Sequence, residues 1–321
     1  MNRASRLLIA LVLVLSFASS KAVAWNSIGH MSVAYAAYQR LTPAEQARAI
    51  ALLKLNPLYS EWEKQLPAAA SDADKNLYVF MIAATWPDQI KATGSGYTGN
   101  DNPPQGELAT LNVGYSDKGM HKYWHFINNP FSQDGTELPA LKGPSVVDKI
   151  GVFRQALATD ETDLVKSYDL VWLLHLVGDV HQPLHCSNRI SKTQPRGDDG
   201  GNLVTVDGPS KDLHAFWDGA VGDGEWKDYM KAVKVGAALP APDASLAGDT
   251  KEADWAAESL ALAKSDVYVA PIGSGVGPYN LAGDYTTKSE QIAEGRISLA
   301  GARLANLLKT ALNCGTQACA N

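Results

Sequence analysis

The sequence predicts an all-α fold, a single compact domain of many helices, and three segments carry most of this prediction. Residues 42–55 begin with Thr-Pro-Ala-Glu, in which Thr42 and Glu45 can form a capping box and proline takes the first helical position. Residues 163–180 are strongly apolar, which indicates a buried helix. Residues 289–312 present a broad apolar face at helical spacing, formed by Ile292, Leu299, Ala300, Leu304, Leu307 and Leu308.

The rest of the chain alternates helical segments with turn-rich loops. Further helices are expected at 145–158 and 251–264. Loops rich in glycine, proline and asparagine are expected at 93–106, 193–202 and 240–248. Residues 203–206 suggest a short strand. No repeat, low-complexity tract or break requires two domains, and 321 residues with 45% hydrophobic composition allow one substantial core.

Residues 1–24 are predicted to be a secretory signal peptide. A basic start precedes the apolar run 7–18, which is too short to span a bilayer comfortably, and Ala-Val-Ala at 22–24 matches a cleavage site. The alternative is a membrane anchor, but nothing after residue 24 resembles a second span. Cleavage would make Trp25 the first residue of a secreted or periplasmic protein with no stable membrane association.

Cleavage would also make the protein more acidic. The full sequence has a formal charge of −6, and removing Arg3, Arg6 and Lys21 without any acidic residue changes it to −9. This charge favours solubility and gives no general attraction for nucleic acid or anionic membranes. If the substrate is a phosphate ester, something other than a basic surface must hold it.

The three cysteines have different predicted roles. Cys314 and Cys319 lie five residues apart near the C-terminus and could form a small disulfide in an oxidising compartment. Cys186 would then be unpaired and buried, as free cysteines usually are.

The segment HLVGDVHQPLH at 175–185 contains three of the seven histidines. His175 and Asp179 are four residues apart, so a helix places both on one face. His181 is six residues after His175 and points elsewhere, which favours a structural role. A buried apolar helix has no structural reason to carry a histidine and an aspartate unless something satisfies them.

Two further features strengthen the case for a metal site. His185 follows Pro183, which ends or bends the helix, and His214 and Asp218 repeat the four-residue spacing. A single such pair could be a surface ion pair or a cap. Two pairs and a third histidine predict metal binding, because imidazole and carboxylate are the ligands that zinc takes outside thiolate sites.

Trp25 could supply an additional ligand. After cleavage its α-amine would be free, with a reference pKa of about 8. The amine and the carbonyl of one residue could chelate a metal as a five-membered ring, which no internal tryptophan can do.

The motifs taken together resemble those of the S1/P1 nuclease family. In chain order they are WNSIGH at 25–30, TWPDQI at 85–90, YWHFIN at 123–128, HLVGDVHQPLH at 175–185, GGN at 200–202 and HAFWD at 214–218. The resemblance implies a domain of the phospholipase C/P1 nuclease type over residues 25–321. It also implies a secreted phosphodiesterase with three zinc ions per chain. The zinc-dependent phospholipases C are distantly similar.

The resemblance further implies which residues bind each zinc ion. The first ion would be held by Asp88, His125, His175 and Asp179. The second would be held by the amine and carbonyl of Trp25, by His30 and by Asp179. The third would be held by His185, His214 and Asp218. Asp179 would therefore bridge the first two ions.

Two of these ligands, and one further candidate residue, have alternative interpretations. Asp88 follows Trp-Pro and could be an ordinary helix cap. His121 could compete with His125, but YWHFIN is expected to be extended and the motif places the ligand next to Phe-Ile-Asn. Asn202 resembles a substrate-contacting asparagine, and the alternative is that its loop is only a turn.

The implied reaction is endonucleolytic hydrolysis of single-stranded DNA and RNA to 5′-phosphate products by a monomer, with 3′-nucleotides as further substrates. Asp88, Asp179 and Asn202 are expected to take part in catalysis. The alternative is a phospholipase C acting on phosphatidylcholine-like lipids, which GGN and the closing Asp218 disfavour. A zinc-holding protein without catalysis is disfavoured because the implied ligand set leaves positions for water.

Overall fold

Helices dominate the computed structural model, which describes residues 25–99, 112, 114–159 and 161–312. The α-helices of these ranges are α1 (Ser27–Tyr38), α2 (Pro43–Leu53), α3 (Tyr59–Lys64), α4 (Asp72–Ala83), α5 (Trp86–Gln89), α6 (Val146–Leu157), α7 (Asp163–Asp179), α8 (Leu213–Asp218), α9 (Tyr229–Ala238), α10 (Ala244–Ala247), α11 (Glu252–Leu262) and α12 (Asp284–Leu312). The prediction of a mostly helical single domain is confirmed.

Helix α7 lies at the centre of the packing. Every residue from Ser167 to Asp179 is buried, as predicted for 163–180. Helices α1, α2, α6 and α12 all pack against it. A helix that is apolar on all sides is stable only when it is enclosed in this way. The side chains of His175 and Asp179 are therefore held on a rigid, fully enclosed element.

Helix α1, which carries His30, is fixed against α12 by a close approach of the two backbones. A Cβ atom at Gly301 of α12 would lie only 2.5 Å from the Cβ atom of Ala36. Helices α4 and α9 also contact α1. Ten of its residues are buried, among them His30.

The predicted helix boundaries are confirmed in most cases. At the start of α2, the Thr42 N–H donates to Glu45 Oε2 at 2.7 Å, and the Glu45 N–H donates to Thr42 Oγ1 at 3.3 Å. Helix α6 begins after Ser145, and α11 is followed by a π-helical turn at Ala263–Val267. Helix α12 begins at Asp284, before the predicted start at 289. The prediction missed this first turn because it is largely exposed and lacks the apolar pattern.

The short strand predicted at 203–206 is wrong. Thr205 and Val206 form only isolated bridges, to Asp212 and Tyr279. No neighbouring strand runs beside the segment for more than one residue in the described ranges. The described sheet is instead a parallel pair, β1 (Pro130–Ser132) and β2 (Asn188–Ile190).

The predicted loops agree with the structure except at one place. Residues 193–202 form turns, and the described part of the 93–106 loop, residues 93–99, forms turns and bends. The 240–248 loop contains the short helix α10.

Cys186 is buried and unpaired, as predicted. The predicted signal peptide and the predicted Cys314–Cys319 disulfide lie outside the described residues. Among the residues that the structure describes, no helix has both the length and the hydropathy to span a bilayer.

Two separate hydrophobic clusters surround the motif segments. The larger contains Leu174 and Leu176, the neighbours of His175. The smaller contains Leu184, Leu213 and Trp217, the neighbours of His185, His214 and Asp218. The predicted ligands therefore belong to segments that pack into two different cores.

Candidate metal centre

The structure brings eight of the nine predicted metal ligands into three buried or nearly buried groups. In each group the potential ligand atoms lie within 4.8 Å of one another. Two groups share His175 and are called the α7 groups: His30, His175 and Asp179, and Asp88, His125 and His175. The third group consists of His185, His214 and Asp218. Each group could hold a metal ion.

Helix α7 places its two polar side chains between the α7 groups. His175 and Asp179 are one turn apart, and His175 Nε2 lies 3.3 Å from Asp179 Oδ2. The same Asp179 Oδ2 lies 3.0 Å from His125 Nδ1, whereas Asp179 Oδ1 lies 3.3 Å from His30 Nε2. The two carboxylate oxygens therefore face different histidines, an arrangement that suits a carboxylate bridging two ions.

Backbone carbonyls fix the tautomers of three histidines. The Nδ1–H groups of His175, His185 and His214 each donate to a carbonyl oxygen at 2.7 Å, those of Ala84, His125 and Gly200. A carbonyl can only accept, so each Nε2 must carry a lone pair. His185 Nε2 and His214 Nε2 nevertheless lie 3.0 Å apart. Two lone pairs so close together need a cation, and ligands of a tetrahedral zinc ion are themselves about 3.3 Å apart.

Several buried polar atoms of the α7 groups lack a hydrogen bond within the described ranges. They are His30 Nδ1, His30 Nε2, His125 Nε2 and Asp179 Oδ1. An unpaired buried polar atom is costly, and native structures rarely contain several together. Metal ions bound between these side chains would satisfy at least His30 Nε2 and Asp179 Oδ1.

Burial sets the protonation states of the three groups. It lowers the pKa of five histidines below the ordinary value, namely His30, His125, His175, His185 and His214. It raises the pKa of Asp179 and Asp218 well above the ordinary value, and the charge of Asp88 adds to this in both cases. Neutral imidazole binds metals directly, whereas carboxylates buried this deeply ionise only beside a cation. The donor set therefore fits bound metal ions.

A short 3₁₀ turn, Lys122–His125, delivers His125. The extended conformation predicted for YWHFIN is thus wrong for Tyr123–His125. These residues form a turn, which is closed by a hydrogen bond of 2.8 Å from Trp124 N–H to the carbonyl of His121, and Phe126 is the first extended residue. The Ile127 N–H then donates to the carbonyl of His185 at 2.8 Å, which joins this segment to the third group.

The two other candidate histidines lie outside the three groups. His121 pairs with Asp117 and stacks on Trp124, with ring centroids 3.5 Å apart. His181 Nδ1 donates to the carbonyl of Val177 at 2.7 Å, and its Nε2 accepts from Arg303 Nη1 at 2.9 Å.

Asp88 lies in the first turn of α5, whose N-cap is Thr85 rather than Asp88. Its Oδ1 lies 3.8 Å from His175 Nε2 and accepts a hydrogen bond from Lys91 Nζ at 2.7 Å. The sequence reasoning missed Lys91, although its spacing of three residues from Asp88 could have indicated a shared helical face. The buried lysine adds a positive charge at the edge of the α7 groups.

The third group is supported by Gln182, a polar side chain that the sequence reasoning also missed. Gln182 Nε2 donates to Asp218 Oδ1 at 2.7 Å, which leaves Asp218 Oδ2 3.5 Å from His214 Nε2. Asn202 is half-buried, and its Nδ2 donates to the carbonyl of Asp199 at 2.7 Å, within its own turn. The structure therefore does not join Asn202 directly to the three groups.

Trp25 is fully buried beside the α7 groups. Its Nε1–H donates to the carbonyl of Gly178 at 3.0 Å, next to Asp179. The following N–H, that of Asn26, donates to the carbonyl of Asp218 at 3.0 Å. A Cβ atom at Gly178 would lie 2.9 Å from His30 Nδ1, so a glycine there allows α1 to approach α7.

Comparison with known proteins identifies the family. The chain matches the family described as S1/P1 Nuclease over residues 25–313. It is 24% identical to Nuclease S1 of Aspergillus oryzae over 314 residues, which cover 88% of this chain and 89% of that protein. It is 33% identical to Endonuclease 4 of Arabidopsis thaliana over 78 residues, 22% of this chain and 24% of that protein. Since the family match extends over nearly the whole chain and includes all three groups, this chain belongs to the S1/P1 nuclease family.

Proposed function

We propose that this protein is a zinc-dependent endonuclease that hydrolyses single-stranded DNA and RNA to products with 5′-phosphates, and that 3′-nucleotides are additional substrates. The observation that carries the proposal is the set of three adjacent His/Asp groups in a chain of this family. The protein acts as a secreted or periplasmic monomer without stable membrane association.

Three zinc ions fit the donors of the three groups. Asp88, His125, His175 and Asp179 would hold the first ion, Trp25, His30 and Asp179 the second, and His185, His214 and Asp218 the third. The side-chain donors are imidazole and carboxylate without thiolate, a set that zinc accepts, and Trp25 would add its amine and carbonyl at the second ion. Bound zinc supplies positive charge for the phosphate and lowers the pKa of water towards about 7.

Asp88 and Asp179 would take different parts in the reaction. Asp179 is fully buried and directs Oδ1 to His30 and Oδ2 to His125, so it would fix the distance between the α7 groups. Asp88 is the one partly exposed member of the three groups, so substrate and water can reach it. Lys91 Nζ, bonded to Asp88 Oδ1, adds a cation that favours a phosphate at this edge.

An aromatic cavity supports a nucleic-acid substrate. A cavity of about 670 Å³ lies beside the turn that carries Asp88, and the partly exposed rings of Tyr97 and Trp226 line it, with the buried Trp86 behind them. Aromatic surfaces stack on bases of any sequence, and a base that is paired in a duplex is not available for such stacking. This is consistent with a preference for single strands. Asn202, which closes the GGN motif, is proposed as a further substrate contact.

The free amine of Trp25 is proposed as a ligand of the second ion, formed when signal peptidase cuts after Ala24. The burial of Trp25 against Gly178, next to Asp179, supports this, as does the family match that begins at Trp25.

The test uses the mature protein beginning at Trp25, purified with zinc. Release of 5′-mononucleotides from single-stranded DNA and RNA is followed beside hydrolysis of phosphatidylcholine, with a chelator-treated sample as control. We expect chelator-sensitive nucleotide release with little lipid cleavage. Lipid cleavage without nucleotide release would show the alternative phospholipase C, and zinc binding with neither activity would show a non-catalytic zinc protein.

A further inference from the structure

The turn that supports His214 has an unusual backbone. Asp199, Gly200 and Gly201 have φ angles of +55°, +59° and +86°, so three successive residues are left-handed. Glycine adopts this region readily and aspartate does so as an occasional single residue, but a run of three such residues persists only when its surroundings impose it. Some group must therefore hold the turn in place.

Asp198 is that group. It is fully buried, and its Oδ1 accepts hydrogen bonds from Gly201 N–H at 3.3 Å and from Arg189 N–H at 3.1 Å. Its carbonyl oxygen accepts from Leu203 N–H at 3.0 Å, which closes the turn. One carboxylate thus joins the turn to strand β2, where Arg189 lies.

The buried side chain of Arg189 holds Asp198 from the other side. Its Nε lies 3.5 Å from Asp198 Oδ2. The same guanidinium donates to the carbonyls of Gly273 and Gly275 at 2.7 and 3.1 Å and lies 4.6 Å from the ring centre of Tyr268. Asp198 is therefore fixed in position by a rigid set of partners.

The left-handed turn orients His214. The Gly200 carbonyl accepts the Nδ1–H of His214 at 2.7 Å, which directs Nε2 towards His185. A Cβ atom at Gly200 would lie 2.7 Å from the carbonyl of Leu184, the residue before His185. The turn therefore packs against both histidine-bearing segments of the third group.

We propose that Asp198 is a positioning residue for metal binding at the third group, acting through the Gly200 carbonyl on His214. The proposal rests on the proposed function in one respect only, that the third group binds a metal. Partners that orient a metal-bound histidine typically change metal affinity by about 10- to 100-fold when removed. A residue that only stabilised the fold would weaken all three metal sites together.

The experiment measures zinc retention. The mature parent protein, Asp198→Ala, Asp198→Asn and Asp169→Ala are loaded with zinc and equilibrated with graded chelator, and zinc per chain is measured. Asp169 is the matched control, because it is as deeply buried as Asp198 but accepts a hydrogen bond from Asn112 Nδ2 instead. We expect Asp198→Ala to release one zinc ion at roughly 10- to 100-fold lower chelator strength than the parent while the other two are retained. Asp198→Asn keeps an acceptor oxygen and should retain all three, as should Asp169→Ala.

A second measurement does not depend on metal or activity. In the metal-free parent, nitrogen NMR should find His214 as the Nδ1–H tautomer, and Asp198→Ala should contain a mixture of tautomers. If Asp198→Ala fails to fold, Asp198→Ser takes its place, since its shorter side chain cannot reach both N–H groups.

Parallel loss of all three ions in the alanine variant, or unchanged retention with an unchanged tautomer, would overturn the proposal. These results are distinct from failure of the proposed function. A parent that binds three zinc ions but cleaves no nucleic acid would refute the nuclease and leave this test intact. A parent that binds no zinc at the third group would overturn this proposal as well, whatever the tautomer of His214.

Discussion

The α7 groups and the third group are built in different ways. The α7 groups take His30, Asp88, His175 and Asp179 from α1, α5 and α7, with α1 and α5 both packed against α7, and they take His125 from a 3₁₀ turn. The third group takes His185 from a 3₁₀ turn and His214 and Asp218 from a six-residue helix beside the smaller core. The first arrangement depends mainly on helix packing. The second depends on a hydrogen bond from Gln182 to Asp218 and on a left-handed turn whose Gly200 carbonyl accepts a hydrogen bond from His214. The difference indicates that the third group can be altered by polar substitutions that leave the fold intact.

Replacing Asp179, the proposed bridging carboxylate, should have the largest effect on activity. We expect Asp179→Asn to lower kcat/KM by about 10 000-fold and to reduce zinc by two ions per chain, because each bound metal contributes several kcal/mol. Asp218→Asn should lower kcat/KM by roughly 100- to 1000-fold and remove one ion. Steady-state kinetics and metal analysis measure both quantities. Similar residual rates and zinc contents in the two variants would contradict the bridge.

Extending the chain before Trp25 should damage the α7 groups alone. A protein with one additional N-terminal methionine replaces the amine by an amide, which is a poor metal ligand. We expect its turnover to fall by at least the roughly 10- to 100-fold typical of a lost supporting partner. The matched control is the same sequence beginning at Trp25, and zinc at the third group should be unchanged. Equal turnover by the two proteins would exclude the amine as a ligand.

A substitution at Asp169, behind the α7 groups, should change how the free energy of unfolding depends on pH without changing activity. Burial raises the pKa of Asp169 to about 8, so the folded protein binds more protons than the unfolded chain between about pH 4 and 8. The stabilisation from this proton is complete below about pH 4 and is lost as the pH rises through about 8.

Asp169→Asn does not titrate, so its stability relative to the parent should increase by at least about 1 kcal/mol from pH 5 to pH 8. Urea unfolding of zinc-loaded proteins at several pH values measures this. The exposed variant Asp254→Asn should follow the parent, and a pH-independent difference for Asp169→Asn would contradict the prediction.

The α7 region could be predicted from sequence because its determinants are local. The capping box of α2, the apolar length of α7 and the four-residue spacing of His175 and Asp179 all depend on neighbours within one or two turns. These signals survive in the folded chain because the helix packing does not oppose them.

The region of the third group was harder to predict because its determinants are distant in sequence. The parallel pairing of β1 with β2 joins segments more than fifty residues apart, and no local pattern marks such short strands. Residues 203–206 resemble a strand but find no partner strand. The hydrogen bond from Gln182 to Asp218 joins residues 36 positions apart, which only the folded chain brings together.

The hydrogen bond from Asn26 N–H to the carbonyl of Asp218 links the beginning of the described chain to the third group. The Asn26 side chain extends this link to the Gly222 carbonyl, 196 positions away. No fragment that ends before Asp218 can therefore complete the metal centre, and its assembly requires the chain from Trp25 to Asp218 to have come together. Metal ions that bind only the assembled centre would stabilise the whole domain by mass action. Global unfolding would consequently release all bound ions in one transition, whereas loss of a single ion from a folded protein would report damage to one group alone.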